Sequence, residues 1–255
     1  MKTAIAVAAV LCLLFPSSGS AVAAAQPEDG GQGGACVILL HGLARTSGSM
    51  ATLAETLAAA GYDVVNIDYP STKKPIEALA MTAVSEGIRE CRQMGIKTIH
   101  FVSHSMGGML VRYYLSRCRL PELGRTVMLS PPNQGSEVAD RLKNTTFFRL
   151  VTGPAGQQLG TGEDGIARHL PPVDYPVGII TGYKAKFFDK VFSDMIPGKD
   201  DGKVSVERAK VEGMDDFLSL PYGHTFIMDE DAVIYQVLHF LKNEKFQKDQ
   251  ELDNR

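Results

Sequence analysis

The chain has 255 residues and lacks four things: a strong charge of either sign, a long hydrophobic run, an abundance of cysteine and a repeat period. Its net charge of −3 gives no polyelectrolyte reason for a nucleic-acid partner. The longest apolar run, Ala4 to Phe15, is short of the roughly 20 residues that a membrane-crossing helix needs. The four cysteines have no metal-finger spacing, so no zinc site is expected. Without a repeat, solenoids and arrays are excluded. What remains is 44% hydrophobic and 22% charged residues, a globular composition incompatible with a disordered, collagenous or coiled-coil protein.

The apolar run follows Lys2 and leads through Pro16 and Gly19 to Ala23-Ala24-Ala25. A charged start, a short apolar middle and an A-x-A ending describe a secretory signal peptide over 1–25, cut after Ala25. Pro16 and Gly19 argue against a buried helix there. Cys12 follows Leu11, where lipoprotein processing wants a small residue, so no lipid anchor is expected. The reading is an exported protein, periplasmic or extracellular. A domain of roughly 230 residues buries about 70% of the surface its unfolded chain exposes and needs no disulfide to hold it.

Gln26 to Gly34 is Gly-rich and polar, a flexible leader; it precedes a strand, so it is no phosphate cradle. Beyond it, short apolar strands alternate with helices. The patterns predict strands at 36–40, 63–69, 98–103, 126–129, 177–181 and 216–220, and helices at 49–60, 75–94, 106–118 and 231–241. That alternation means parallel strands joined by crossovers, an α/β domain over 35–243 with a doubly wound, mostly parallel sheet. Asn133 to Tyr175 breaks the rhythm with Gly-Pro and Pro-Pro punctuation, and a stretch of that kind reads as a functional cap insertion. Residues 244–255 form a polar tail expected to fray.

After export Cys36, Cys91 and Cys118 remain, which permits at most one internal bridge. Cys91 lies near the end of the helix entering the 98–103 strand and Cys118 at the end of the helix leaving it. Right-handed crossovers put both ends at the amino edge of the sheet on one face, so a Cys91–Cys118 bridge is expected. The alternative is three free thiols, Cys36 starting a strand at the same edge.

The strand at 98–103 runs directly into Ser103-His104-Ser105-Met106-Gly107-Gly108 and then a helix. A serine at such a sharp turn is exposed above the sheet, and the helix behind it directs its positive end at the reacting centre. Ser105 is therefore the candidate nucleophile. Ser103 stands where the usual G-x-S-x-G pattern has its first glycine, which implies mild crowding. Leu39-Leu40-His41-Gly42-Leu43 closes the first strand, so the backbone N–H groups of Leu43 and Met106 are candidate oxyanion donors.

A base following the nucleophile in the chain is His169, His224 or His239; His224, in the loop between the last strand and the last helix, opens on the same sheet edge as Ser105. The acid candidates are Asp189, Asp194, Asp200, Asp201, Glu207, Asp215 and Asp216. Asp201, in the tight Asp201-Gly202 turn, leads, with Asp200 beside it as the alternative.

These motifs, together with Ser130-Pro131-Pro132-Asn133-Gln134-Gly135-Ser136-Glu137-Val138-Ala139-Asp140, resemble the true lipases and esterases of bacteria, over roughly 36–241. The resemblance implies an α/β-hydrolase fold, Ser105, Asp201 and His224 as nucleophile, acid and base, and carboxylic ester hydrolysis through an acyl-enzyme. An acyltransferase or thioesterase would use the same three residues, and a silent hydrolase fold serving as a binding protein is the rival from another class. Calcium-binding members of that lipase group carry an acid two residues after the base, where this chain has Phe226, so neither a metal nor another cofactor is expected. The acids Asp229, Glu230 and Asp231 are read as a cap for the last helix. The expected partner is a small-molecule or lipid ester, with Phe147 and Phe148 of the insertion contacting its acyl chain.

Overall fold

The computed structural model describes residues 34–186 and 189–248; the expected signal peptide, nearly all of the leader and residues 249–255 lie outside the described residues. Every residue of β1 (Ala35–Leu40) is buried, as a strand covered on both faces requires. Alternate side chains divide between two cores: Cys36, Ile38 and Leu40 face one, Ala35, Val37 and Leu39 the other. β1 pairs in parallel with β2 (Asp63–Ile67) on one side and β3 (Thr98–His104) on the other. β4 (Leu123–Leu129), β5 (Val177–Gly182) and β6 (Asp216–Leu220) continue beyond β3, all parallel, in the order β2-β1-β3-β4-β5-β6.

α1 (Ala51–Ala59) covers one face of the sheet together with α9 (Asp231–Asn243), burying Leu53, Leu57, Val233, Val237 and Phe240. α2 (Ile76–Leu79), α3 (Ser85–Gln93) and α4 (Met106–Arg117) cover the other. Pro75 caps α2, and a π-helical turn at Ala80–Val84 joins α2 to α3, so the predicted 75–94 helix is present in three pieces. The chain steps outward from β1 to β2, then crosses back over β1 to β3. The winding therefore reverses between β1 and β3, and their carboxyl ends diverge around a crevice.

The insertion forms α5 (Glu137–Leu142), α6 (Thr146–Gln157) and a 3-10 turn at Ile166–His169. Ser136 and Thr145 start the two helices by accepting hydrogen bonds from the N–H groups of Ala139 and Phe148. Arg112 of α4, itself buried, grips both ends of the insertion: it donates to the Asn133 carbonyl at 2.8 Å and to the Pro171 carbonyl at 3.1 Å. α7 (Lys190–Ser193) and α8 (Val206–Ala209) lie within the long β5–β6 connection.

Three expectations need correction. The disulfide joins Cys36 to Cys91, with Cα atoms 6.0 Å apart, and Cys118 is free. The crossover from β2 to β3 carries α3 over β1, so close that a Cβ on Gly87 would lie 2.7 Å from Ile38. One helical turn onward and two strand residues back are both steps of about 6 Å. With α3 antiparallel to β1, contact at Gly87 and Ile38 sets Cys91 over Cys36, while α4 carries Cys118 away with β3 and β4.

The tail is tied down as far as Lys248. Phe246 is buried against Phe240, its N–H bonds the Asp216 carboxylate at 2.9 Å, and Gln247 bonds Gln236 through both backbone groups. The acids before α9 make no side-chain cap; Glu230 occupies the N-cap position and pairs with Lys186 at 3.5 Å.

The bridge closes a loop with a sequence separation of 55. Loop-closure entropy assigns such a bridge about 4 kcal/mol of stability. Reduction should lower the urea midpoint accordingly, and Cys118→Ser should leave it nearly unchanged. A midpoint indifferent to reductant contradicts this pairing.

Candidate functional site

β3 ends at the crevice, and the next residue, Ser105, takes φ 53° and ψ −122°. A non-glycine residue held there costs roughly 1–3 kcal/mol, and it persists because the strand before it and the helix after it are both fixed. α4 starts at Met106 and comes so close to β1 that a Cβ on Gly107 would lie 2.4 Å from the Leu40 carbonyl oxygen. Ser103 is fully buried without distorting this turn, because the opposing residue on α4 is Gly108, whose Cβ position is 3.4 Å from the Ser103 hydroxyl.

The loops after β5 and β6 bring two further groups to the same edge. The His224 Nδ1–H donates to Asp201 Oδ2 at 2.8 Å, and the Ser105 hydroxyl donates to His224 Nε2 at 3.0 Å. The backbone holds His224 as well: its N–H donates to the Asp201 carbonyl at 2.9 Å, and the buried His104 imidazole donates to the His224 carbonyl at 3.0 Å. Asp201 is fully buried, and its second oxygen accepts from the N–H groups of Lys203 and Val204 at 2.9 and 2.8 Å. Burial alone would raise this carboxyl's pKa, but His224 and these hydrogen bonds outweigh it and hold it below the usual range. Asp200 turns the other way, accepting from Ser193 and Gly202, and burial raises its pKa. His169 and His239 bond backbone carbonyls of Glu163 and Lys245 and take no part.

On the other side of the crevice, the loop after β1 is fixed by β2's loop. His41 stacks on Tyr69 with ring centroids 4.1 Å apart, donates from Nδ1 to the Gly42 carbonyl and accepts from the Tyr69 N–H. Burial lowers its pKa, which suits the neutral tautomer that this pattern needs. The Tyr69 hydroxyl donates to the His41 carbonyl, and Ala44 N–H donates to Ser71. Leu43 is thereby held opposite the start of α4.

Sequence reasoning missed a second tier around His224. Asp189 is buried and accepts from Thr225 through both the backbone N–H, at 2.9 Å, and the hydroxyl, at 2.5 Å. Lys203 Nζ donates to the same hydroxyl at 2.9 Å and stands 3.5 Å from Asp189. Asp189 was visible as a candidate acid; only its burial under Thr225 separates its work from that of Asp201.

A cavity of about 430 Å³ opens over Ser105 and His224. Leu43 lies on its wall, and the insertion supplies Val138, Ala139, Leu142, Phe147, Phe148, Val151 and Leu159. Phe147 and Leu150 are 77% and 82% exposed, so α6 presents an apolar edge at the mouth. Among the described residues, no group of three or more His, Cys, Asp or Glu could hold a metal ion, and no helix is long and apolar enough to cross a membrane.

The family model described as alpha/beta hydrolase fold matches residues 36–169, more than half of the chain. The chain belongs to the α/β hydrolase fold family. The solved structures that this hydrolase resembles include a Bacillus licheniformis lipase, at 20% identity and TM-score 0.64, covering 84% of this chain and 94% of that one. A metagenomic carboxyl esterase gives 17% identity and TM-score 0.61, covering 76% and 65%. A Paleococcus ferrophilus monoacylglycerol lipase gives 18% identity and TM-score 0.55, covering 82% and 94%. At these identities the likeness is one of fold. A sequence search of curated proteins gave no significant match.

The depressed Asp201 pKa sets a pH signature. Its unfolded value is about 3.9, so the ionised carboxylate stabilises the fold above about pH 4, and the contribution fades as pH falls through the lower folded value. Asp201→Asn should be less stable than wild type at pH 7, and the gap should narrow in urea melts taken from pH 5 towards pH 3. A gap that does not change with pH contradicts the assignment.

Proposed function

We propose that this hydrolase cleaves carboxylic esters through an acyl-enzyme on Ser105. The observation that carries the reading is the continuous chain of hydrogen bonds from Ser105 through His224 to Asp201, facing an apolar cavity. In the proposed mechanism His224 Nε2 takes the Ser105 proton as Oγ attacks the ester carbonyl. Asp201 keeps the proton of Nδ1 in place and stabilises the imidazolium that forms. The N–H groups of Leu43 and Met106 receive the oxyanion, aided by the positive end of α4. His224 then passes its proton to the leaving alcohol, and water repeats the sequence to release the acid.

The acyl chain is assigned to the side of the cavity lined by α5 and α6, with Phe147 and Phe148 against it. The cavity volume falls within the range of small-molecule sites. Export is part of the proposal. A cysteine bridge is at home in an oxidising compartment, and the Met1–Ala25 pattern supplies the signal.

A fluorophosphonate should label one serine, Ser105. Ser105→Ala and His224→Ala should each lower kcat by a factor on the order of 10⁶, and the double variant little further, because the two act as a unit. A single variant that keeps a tenth of wild-type activity overturns the assignment.

Phe147→Ser/Phe148→Ser should reduce kcat/KM on long-chain esters far more than on acetates. Each methylene that loses its contact is worth about 0.8 kcal/mol, roughly fourfold in rate. Equal losses on the two substrates would remove the acyl chain from this side of the cavity.

A further inference from the structure

Charge in the cavity wall is of one sign. Histidines aside, the charged side chains lining it among the described residues are Arg45 and Lys203, and no carboxylate is among them. Both cations gather on the residues that follow His224: Lys203 Nζ on the Thr225 hydroxyl at 2.9 Å, and the Arg45 guanidinium 5.5 Å from the centre of the Phe226 ring. Asp189 answers part of the Lys203 charge at 3.5 Å, whereas Arg45 forms no ion pair among the described residues. A guanidinium of a half-buried arginine lying over an aromatic ring keeps its donors for a carboxylate or phosphate oxyanion. Their field reaches the reacting centre. Burial and His224 are the larger causes, but Lys203 and Arg45 also help to hold the His104 imidazole, one residue before Ser105, well below its ordinary pKa.

The chemistry of the step says which part of a substrate meets these cations. His224 must deliver its proton to the leaving oxygen, so the alcohol portion lies on the His224 side, away from the acyl wall of α5 and α6. We infer that the preferred esters carry an anionic alcohol portion, a phosphate-bearing glycerol or its like, held between Arg45 and Lys203. The inference rests on the ester-hydrolase reading above and names the alcohol side of its substrate. In the step itself the Ser105 Oγ–acyl bond forms and the bond from acyl carbon to alcohol oxygen breaks. The Ser105 proton passes through His224 to that oxygen, and the phosphate-bearing alcohol leaves. Water then cleaves the acyl-serine to the free carboxylic acid and restores the Ser105 hydroxyl. The phosphate ester is untouched.

The test compares kcat/KM for monolauroyl glycerol 3-phosphate and monolauroylglycerol, both below their micelle concentrations, and repeats it with the monobutyryl pair, which offers no lipid surface. Wild type should favour the phosphate-bearing ester in both pairs by at least about tenfold, the worth of one charge-assisted hydrogen bond. The ratio should fall towards one in Arg45→Gln, recover in Arg45→Lys and shrink as salt is raised. A wild-type ratio near one, a preference confined to the lauroyl pair, or an unchanged ratio in Arg45→Gln overturns the inference while leaving ester hydrolysis intact. Failure to cleave any of the four esters overturns the hydrolase reading itself, and this inference with it.

Discussion

Gly107 has no room for a side chain, because a Cβ would press to 2.4 Å on the carbonyl oxygen that ends β1. That contact lets the first turn of α4 come down between the ends of β1 and β3, where the winding of the sheet reverses. The rest of the site depends on it. With α4 seated there, Ser105 has no choice but its left-handed backbone, since the strand behind and the helix ahead are each fixed by their own cores. The seat also brings Ser105 close to the loop of Leu43, where a Cβ on Gly42 would lie 3.2 Å from the Ser105 Cβ. The six-stranded parallel sheet therefore serves as a rigid platform, and the strain of one residue is sustained by burial spread over the whole domain.

Asp201, His224 and Asp189 in the crevice are each held by several hydrogen bonds. Asp201 accepts from two backbone N–H groups as well as from His224, which holds it ionised despite full burial. His224 is gripped by its ring, its N–H and its carbonyl. Asp189 and Lys203 then fasten the following residue, Thr225. Such redundancy fixes the orientation of the His224 imidazole through hydrogen bonds from several elements.

The order of strands and helices, and the three residues of the Ser105–His224–Asp201 chain, were legible in the sequence. β1 is a continuous apolar run, short strands alternate with helices after it, and a parallel sheet sends its carboxyl-end loops to one edge. Sequence reasoning also separated His224 from His169 and His239, because only His224 lies in the loop between the last strand and the last helix. What was not legible depends on packing between elements distant in the chain. The partner of Cys91 follows from Gly87 resting on Ile38, a register that no spacing rule supplies. Among the charged residues of the tail, one phenylalanine, Phe246, fills a gap beside Phe240 and anchors the segment to Lys248. Asp189 and Asp201 are chemically identical in the sequence and differ only in which loop they are buried beneath.

The central claim is that Ser105 carries the acyl group. Acid-quenched mass spectrometry during turnover of a p-nitrophenyl ester tests it most directly. The account predicts a transient mass gain of one acyl group on the peptide containing Ser105, with a matching burst of one equivalent of nitrophenol, and neither in Ser105→Ala. An acyl group found on another residue, or retained in Ser105→Ala, would contradict it.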